Sequence, residues 1–160
     1  MTDVTQAQDD AGALAALGSA LAEAGAASLT AGQHERLAEG LLRASLARWE
    51  DPQVRPRLLA DVIAALTSQE GAAKMRDFLS AQTSDLFSQF GKALGSSRTM
   101  DLNRAAETLN VPPLNINAAQ AQVWGMVILR YVLELEPIAS ASADELLDLF
   151  VPTIQRYLAG

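Results

Sequence analysis

The chain has 160 residues, a length that one domain can bury around a single core. It contains no cysteine, which excludes disulfides and thiolate metal sites. Its formal net charge is −7, and between positions 105 and 160 six acidic residues stand against only Arg130 and Arg156, so we expect no direct nucleic-acid binding by this chain.

The amino-terminal part is predicted to be a polar tail followed by two helices. Residues 1–10 are polar and predicted to be disordered, whereas residues 11–160 are predicted to form a single helical domain. No basic segment precedes an apolar run, so a signal peptide is not predicted and we expect a cytoplasmic protein. A leucine stripe predicts a helix over 11–24, and a capping box that begins at Thr30 opens a helix ending near Pro52.

Two further helices are predicted in the middle of the chain. Pro52 and Pro56 fit only near a helix start, so the first of these helices begins at one of them. A second capping box, from Thr67 to Glu70, opens a long helix that runs to about Leu94.

Residues 98–117 have the weakest periodicity, with a short predicted helix through Ala105 and Leu109. The pattern looks superficially like the first half of a helix-turn-helix. However, the stretch that follows has no basic residue before Arg130, and a groove-reading helix needs phosphate and base contacts. We therefore interpret this segment as a loop or short lid.

The most apolar stretch, residues 118–135, predicts a central helix that ends before Pro137. A helix that is apolar on nearly all sides must be enclosed by its own domain, a partner chain or a membrane. The uninterrupted part is shorter than the ~20 residues of a membrane span and contains Arg130, so no membrane span is predicted. We expect the core on one side and a second subunit on the other, with Gly125 allowing close approach. Arg130 and Glu134 are spaced to form an ion pair.

The last predicted helix follows a third capping box, from Ser142 to Glu145. Its apolar side chains recur with the 3.6-residue period of one helical face, through Leu158. Pro152 lies in its middle, removes one hydrogen bond and is predicted to kink it.

The sequence gives no positive support for an enzyme. The single histidine, His34, lies in the first turn of a predicted helix, and we interpret it as a solvated surface residue. There is no nucleophile elbow, no glycine-rich phosphate loop and no spaced set of metal ligands. We therefore predict no catalytic residue, no metal and no cofactor.

Polar and bulky side chains on otherwise apolar faces are more informative. Gln82 lies inside the apolar stripe of the long helix, and Gln120 lies one turn before Trp124. Ligand pockets are mostly apolar, with a few polar groups that fix the orientation of the ligand. The same residues also suit a filled core with the glutamines at its wet edge, and the pattern leaves both interpretations open.

Two stretches resemble a known family. Residues 125–139 (GMVILRYVLELEPIA) and residues 143–158 look like the carboxy-terminal domain of TetR/AcrR-type transcriptional regulators, and residues 46–59 are similar to an earlier part of that domain. The resemblance implies an all-α effector-binding and dimerisation domain. Its last two long helices would form a four-helix bundle with the same helices of a second subunit.

The resemblance implies two partners: a second copy of the chain and a small, largely apolar effector. Carried over by position, it also implies which residues contact each partner. The implied dimer interface consists of Gly125, Leu129, Val132, Leu146, Phe150 and Ile154. The implied pocket, among the helices before the bundle, consists of Trp49, Met75, Phe78, Gln82, Gln120 and Trp124.

The chain departs from the family at its amino-terminal end, where the family carries a DNA-binding helix-turn-helix and this sequence has only a short polar stretch. We expect either a truncated product or a regulator-like protein that does not bind operator DNA itself. The predicted function is a small-molecule-binding and homodimerisation domain of a TetR-like regulator without its own DNA-binding head. The alternative is a structural interaction module without a pocket, for example a partner of a full-length regulator.

Overall fold

The computed structural model describes residues 31–93 and 101–159, and all regular structure in these two ranges is helical. In chain order the helices are α1 (Ala31–Glu50), α2 (Arg55–Thr67), α3 (Gln69–Ala93), α4 (Leu102–Leu109), α5 (Pro113–Val127), a π-helical continuation (Ile128–Val132) and α6 (Ala143–Ala159). The predicted all-α class is confirmed. Within these ranges no helix is long and apolar enough to cross a membrane. The predicted tail 1–10 and the predicted helix over 11–24 lie outside the described residues.

The core lies between α1, α5 and α6, and α1 packs along α6 over the longest contact between two helices. Leu37 and Leu42 of α1 and Ile154 of α6 are almost fully buried, at 1%, 0% and 0% exposure. Apolar residues three and four positions apart put one continuous face of each helix into this core. The interior is therefore built mainly from the first described helix and the last two.

A hairpin of α2 and α3 forms the remaining side, and its two helices pack mainly on each other. A Cβ added to Gly71 would lie 2.1 Å from the carbonyl oxygen of Ala64, so only glycine fits where α3 starts against α2. In α2 only Leu58 and Val62 are buried. Leu59 of α2 and Met75 of α3 are partly buried and also pack against the core.

The start of α3 differs from the predicted capping box. Ser68, not Thr67, caps the helix, because its Oγ accepts a hydrogen bond from the Gly71 N–H at 2.9 Å. Thr67 still belongs to the last turn of α2 and its hydroxyl donates to the Ile63 carbonyl at 2.8 Å. The predicted cap is thus one position too early.

Helix α4 confirms the short helix predicted through Ala105 and Leu109, but it packs into the core and is not the expected loop or lid. Asp101 caps α4 by accepting a hydrogen bond from the Arg104 N–H at 2.9 Å. Ala105 and Ala106 are 0% and 1% exposed, and Leu109 is also buried. The small alanine side chains give α4 a buried face that a surface loop would lack.

The central helix starts at Pro113 and ends at Val132, rather than before Pro137 as predicted. Its last part is π-helical, since the Leu133 N–H donates to the Ile128 carbonyl at 2.9 Å. Such a turn inserts one residue relative to an α-helix. The register of every side chain beyond Ile128 is shifted accordingly.

Arg130, in the π-helical segment, connects three parts of the chain. Its side chain is 11% exposed and donates to the Ile138 carbonyl at 2.8 Å, the Ala141 carbonyl at 2.7 Å and Glu50 Oε1 at 3.2 Å. The predicted ion pair with Glu134 is wrong, because Glu134 lies beyond the last helical residue and its carboxylate contacts Arg55 Nη2 at 3.5 Å. Arg130 instead holds the end of α1 and the loop before α6 against the central helix.

The capping box at the start of α6 is confirmed. The Glu145 N–H donates to Ser142 Oγ at 3.1 Å, and the Ser142 N–H donates to Glu145 Oε2 at 2.8 Å. These hydrogen bonds from Ser142 hold the pKa of the Glu145 carboxyl below its ordinary value. Pro152 lies inside α6, as the sequence predicts.

Candidate functional site

A small cavity lies between α1, the α2–α3 hairpin and α5, with a volume of about 50 Å³. It is lined by Ser45, Arg48, Trp49, Leu58, Phe78, Gln82, Val123, Trp124 and Val127. Four of the six predicted pocket residues, Trp49, Phe78, Gln82 and Trp124, are among them. The structure therefore brings together side chains from three helices that the sequence separates by up to 75 positions, from Trp49 to Trp124.

The two tryptophans of the chain form the inner wall of this cavity. Trp49 is 4% exposed and meets Trp124 edge to face, with ring centroids 5.9 Å apart and an interplanar angle of 88°. Its other side stacks on Tyr131 at 5.8 Å and 17°. Both arrangements are favoured by the quadrupoles of the rings, which fix Trp49 in place.

Tyr131 ends a polar network behind the tryptophans. Its hydroxyl donates to Glu50 Oε1 at 2.9 Å, and the same oxygen accepts a hydrogen bond from Arg130. Burial raises the pKa of Tyr131 to about 12, the bond to Glu50 adds to the rise and Arg130 opposes it. The aromatic wall and the Arg130 network are therefore joined through one residue.

Three polar side chains reach the cavity: Ser45, Arg48 and Gln82. The Ser45 hydroxyl donates to the Leu41 carbonyl at 3.0 Å, which leaves its oxygen free to accept. The Arg48 Cζ lies 5.6 Å from the centre of the Phe78 ring, in a cation–π contact. In the part of the chain that the structure describes, Arg48 forms no ion pair and the Gln82 amide forms no hydrogen bond. Both groups are available to a ligand.

Two predicted pocket residues lie outside the lining. Met75 is partly buried and packs against the core. Gln120 donates from Nε2 to Thr83 Oγ1 at 2.7 Å, and its Oε1 accepts from Asn117 Nδ2 at 3.0 Å. The amide of Gln120 thus ties α5 to α3 instead of facing the cavity.

Five lining residues are absent from the sequence prediction: Ser45, Arg48, Leu58, Val123 and Val127. Ser45 lies four residues before Trp49 and Val127 three residues after Trp124, so helical spacing around the two tryptophans carried a usable signal. Arg48 directly precedes Trp49, and neighbouring residues of a helix point in different directions. Its place in the lining could not be read from spacing.

The cavity is smaller than a typical ligand pocket of about 300–1,000 Å³. Its volume of about 50 Å³ has room for only a few water molecules. Leu58 and Phe78 supply the wall from the α2–α3 hairpin, and Phe78 is 38% exposed. Among the residues that the structure describes, this hairpin contacts the core less extensively than α1 and α6 contact each other.

A second feature is the apolar outer side of α5 and its π-helical continuation. Leu129 and Leu133 are 36% and 62% exposed, and Val132 is partly exposed. Gly125 is also exposed, and a Cβ added there would meet nothing within 4 Å. On α6, Leu149 is 71% exposed. We call Gly125, Leu129, Val132 and Leu149, together with the partly exposed Phe150, the outer face.

Leu146 and Ile154 do not belong to the outer face, although the resemblance implies them as interface residues. They are 1% and 0% exposed in the single chain. A side chain without exposed surface gains no contact from a second subunit. The apolar face of α6 to which these residues belong packs against the chain's own core. The interface prediction is therefore corrected at both positions.

His34 is buried, at 7% exposure, which corrects its interpretation as a solvated surface residue. It lies three and four residues before Leu37 and Ala38, which are themselves buried, and so shares their face of α1. Over residues 31–93 and 101–159, no group of three or more histidine, aspartate or glutamate side chains is placed to hold a metal ion.

Comparison with protein families gives a match over most of the chain. A family model described as "Tetracyclin repressor-like, C-terminal domain" matches residues 35–100 and 98–158. The matched ranges contain the whole cavity lining and the outer face. Comparisons with curated proteins and with solved structures find no match.

Proposed function

Because this chain belongs to the family of tetracyclin repressor-like C-terminal domains, we propose that it binds a small, largely apolar effector in the Trp49–Trp124 cavity and forms a homodimer through the outer face. Domains of this family are the ligand-binding and dimerisation parts of transcription regulators and are regulatory rather than enzymatic. The proposal assigns each of these two roles to particular residues of the chain.

The convergence of Trp49, Phe78, Gln82 and Trp124 on one cavity is the observation that carries the effector site. The walls are aromatic and aliphatic, while Arg48 and Gln82 offer polar groups without partners among the described residues. This combination is typical of pockets that enclose an apolar molecule and orient it by a few polar contacts.

Effector binding requires the cavity to widen, and the α2–α3 hairpin is the wall that moves. An effector that prefers the widened arrangement shifts the population toward it by no more than its difference in affinity for the two states, about 1–3 kcal/mol. The Trp49–Tyr131 stack and the Gln120–Thr83 hydrogen bond connect this wall and the cavity to α5. The widening is therefore passed to the helix that carries the outer face.

A thermal-unfolding screen with a library of small apolar compounds tests the effector site. A compound that binds the folded chain raises the unfolding midpoint by mass action. Trp124→Ala removes one wall of the cavity and should abolish the increase in the unfolding midpoint. Leu114→Ala changes a side chain of the same helix that is 75% exposed, and the increase should be preserved. An unchanged midpoint increase in Trp124→Ala would remove this cavity from the proposal.

Sedimentation of charge-introducing variants tests the dimer. Gly125→Glu places a carboxylate on the outer face and should convert the dimer to a monomer, because a buried unpaired charge is costly. Leu66→Glu introduces the same charge on α2, at a position 77% exposed, and should remain dimeric. A wild-type chain that sediments as a monomer at high concentration would refute the homodimer.

The volume of about 50 Å³ favours a second candidate, a dimeric interaction module that binds no small molecule. In that case the cavity is a packing defect and Trp49 and Trp124 are core residues. The thermal-unfolding screen distinguishes the two candidates. If the chain is an interaction module, no compound raises the unfolding midpoint, although the dimer still forms.

A further inference from the structure

Among the described residues that line the cavity, Arg48 is the one charged group, and no carboxylate accompanies it. We propose that the effector is an anion, an apolar or aromatic body that carries a carboxylate, and that Arg48 binds the carboxylate. This inference rests on the proposed function and specifies the chemical class of its ligand.

The carboxylates nearest to Arg48 in the sequence are engaged elsewhere. Glu50 accepts hydrogen bonds from Arg130 and from the Tyr131 hydroxyl, at 3.2 and 2.9 Å. Asp51 Oδ1 accepts a hydrogen bond from the Gln53 N–H at 2.8 Å. Across the described ranges Arg48 has no ion-pair partner, and its guanidinium contacts the Phe78 ring.

The surroundings of Arg48 strengthen its attraction for an anion. It is only partly exposed, and the cavity beside it is walled by Trp49, Trp124 and Phe78. A charge at a cleft with low-dielectric walls acts on a ligand more strongly than the same charge on an open surface. The planar guanidinium also matches a carboxylate in a two-bond geometry, and the Gln82 amide can supply a further donor.

A neutral ligand of the same shape would gain less. It would cover Arg48 and displace water from the guanidinium without returning a charge to it, and an uncompensated charge is costly to desolvate. Hydrogen bonds to charged groups contribute about 1.5–3 kcal/mol, which corresponds to about tenfold or more in the dissociation constant. A carboxylate should therefore bind at least about tenfold more tightly than its amide.

Tryptophan fluorescence measures this preference directly, because Trp49 and Trp124 are the two tryptophans of the chain and both line the cavity. Hexanoate is titrated against hexanamide, and phenylacetate against phenylacetamide. Each carboxylate should change the emission at a concentration at least about tenfold lower than its neutral counterpart. The preference should decrease as salt is added, since ions screen partly exposed charges.

Variants at Arg48 distinguish direct binding of the carboxylate by Arg48 from attraction by the electrostatic potential of the whole chain. Arg48→Gln should remove the preference for carboxylates, so that each carboxylate and its amide bind with similar affinity, while Arg48→Lys should retain part of the preference because the charge remains. Arg57→Gln is the matched control, since Arg57 is exposed on α2 and absent from the lining. Helical circular dichroism and the unfolding midpoint establish that each variant is folded.

Equal affinity for the carboxylate and the amide in the wild-type chain would overturn the inference and leave the proposed effector site standing. A preference that survives in Arg48→Gln would overturn it as well. If none of the four probes changes the tryptophan emission up to its solubility limit, both the inference and the proposed effector site fail.

Discussion

The core of α1, α5 and α6 and the hairpin of α2 and α3 differ in how completely their apolar side chains are buried. In the core, Leu42 and Ile154 are fully buried, and Leu146 is 1% exposed. In the hairpin, Ile63 and Leu66 are 58% and 77% exposed. Burial of apolar area is the main stabilising contribution to a folded domain. The comparison therefore places more of the stability of the chain in the core than in the hairpin.

Polar contacts follow the same division. The core is tied internally by Arg130, whose guanidinium reaches two carbonyls and Glu50. The hairpin meets the core through the Gln120–Thr83 hydrogen bond at 2.7 Å, a hydrogen bond from Arg55 to the Tyr131 carbonyl at 3.4 Å and a contact of Arg55 with the exposed Glu134 carboxylate at 3.5 Å. Segments with few buried contacts open at lower free energy than the whole domain. We therefore expect the hairpin to open at a lower free energy than the core.

Truncation in the core should give the largest loss of stability. Leu146→Ala removes a side chain that is 1% exposed, and we expect the free energy of unfolding to fall by about 2–5 kcal/mol. Leu114→Ala, at 75% exposure on α5 and outside the outer face, is the control and should change stability by less than about 0.5 kcal/mol. Denaturant unfolding measures both, and equal losses would contradict the placement of the core.

Overpacking the hairpin should give the next largest effect, and it should be local. Gly71→Ala forces the Ala64 carbonyl to move, at a cost of about 1–3 kcal/mol. Amide hydrogen exchange should increase over residues 55–93 and remain unchanged in α1 and α6. Gly32→Ala in α1 is the control, because an added Cβ there meets only the Arg36 guanidinium at 4.0 Å and alanine favours the helix by up to about 1 kcal/mol. Faster exchange throughout the chain would show that hairpin and core unfold together.

High pH should weaken the core through Tyr131. Between pH 10 and about pH 12 the unfolded chain loses the Tyr131 proton while the folded chain retains it, so stability falls as pH rises. We expect a loss of about 1–2 kcal/mol across this interval. Ultraviolet titration of tyrosinate should show a component with a pKa near 12 that Tyr131→Phe lacks. A Tyr131 that is fully ionised by pH 10 would contradict its burial in the network.

Truncation of Phe78, in the cavity wall that the hairpin supplies, should have the smallest effect on stability and a clear effect on ligand binding. Phe78 is 38% exposed, so Phe78→Ala should cost no more than about 1 kcal/mol while it widens the cavity. Phenylacetate should then bind with a faster observed rate in stopped-flow fluorescence. Leu79→Ala, on the next residue of α3 and outside the lining, is the control. An unchanged rate in Phe78→Ala would show that this wall does not limit entry.

The sequence by itself determined the helical class and the start of α6. The capping box at Ser142 and Glu145 is a local pattern, because each partner lies three residues from the other. The apolar stripes of α1 and α6 likewise show which side of each helix avoids water. Such information depends on neighbours along the chain, and so it could be read without the fold.

The tertiary structure alone decided what each apolar face packs against. The period that includes Leu146 and Ile154 indicates burial equally well in a dimer or in a protomer, and only the position of α1 shows that the protomer buries them. The packing of α4 and the place of Arg48 beside the cavity depend in the same way on helices distant in sequence. Periodicity identifies a buried side but carries no information about its partner, because that partner is selected by packing across the whole domain.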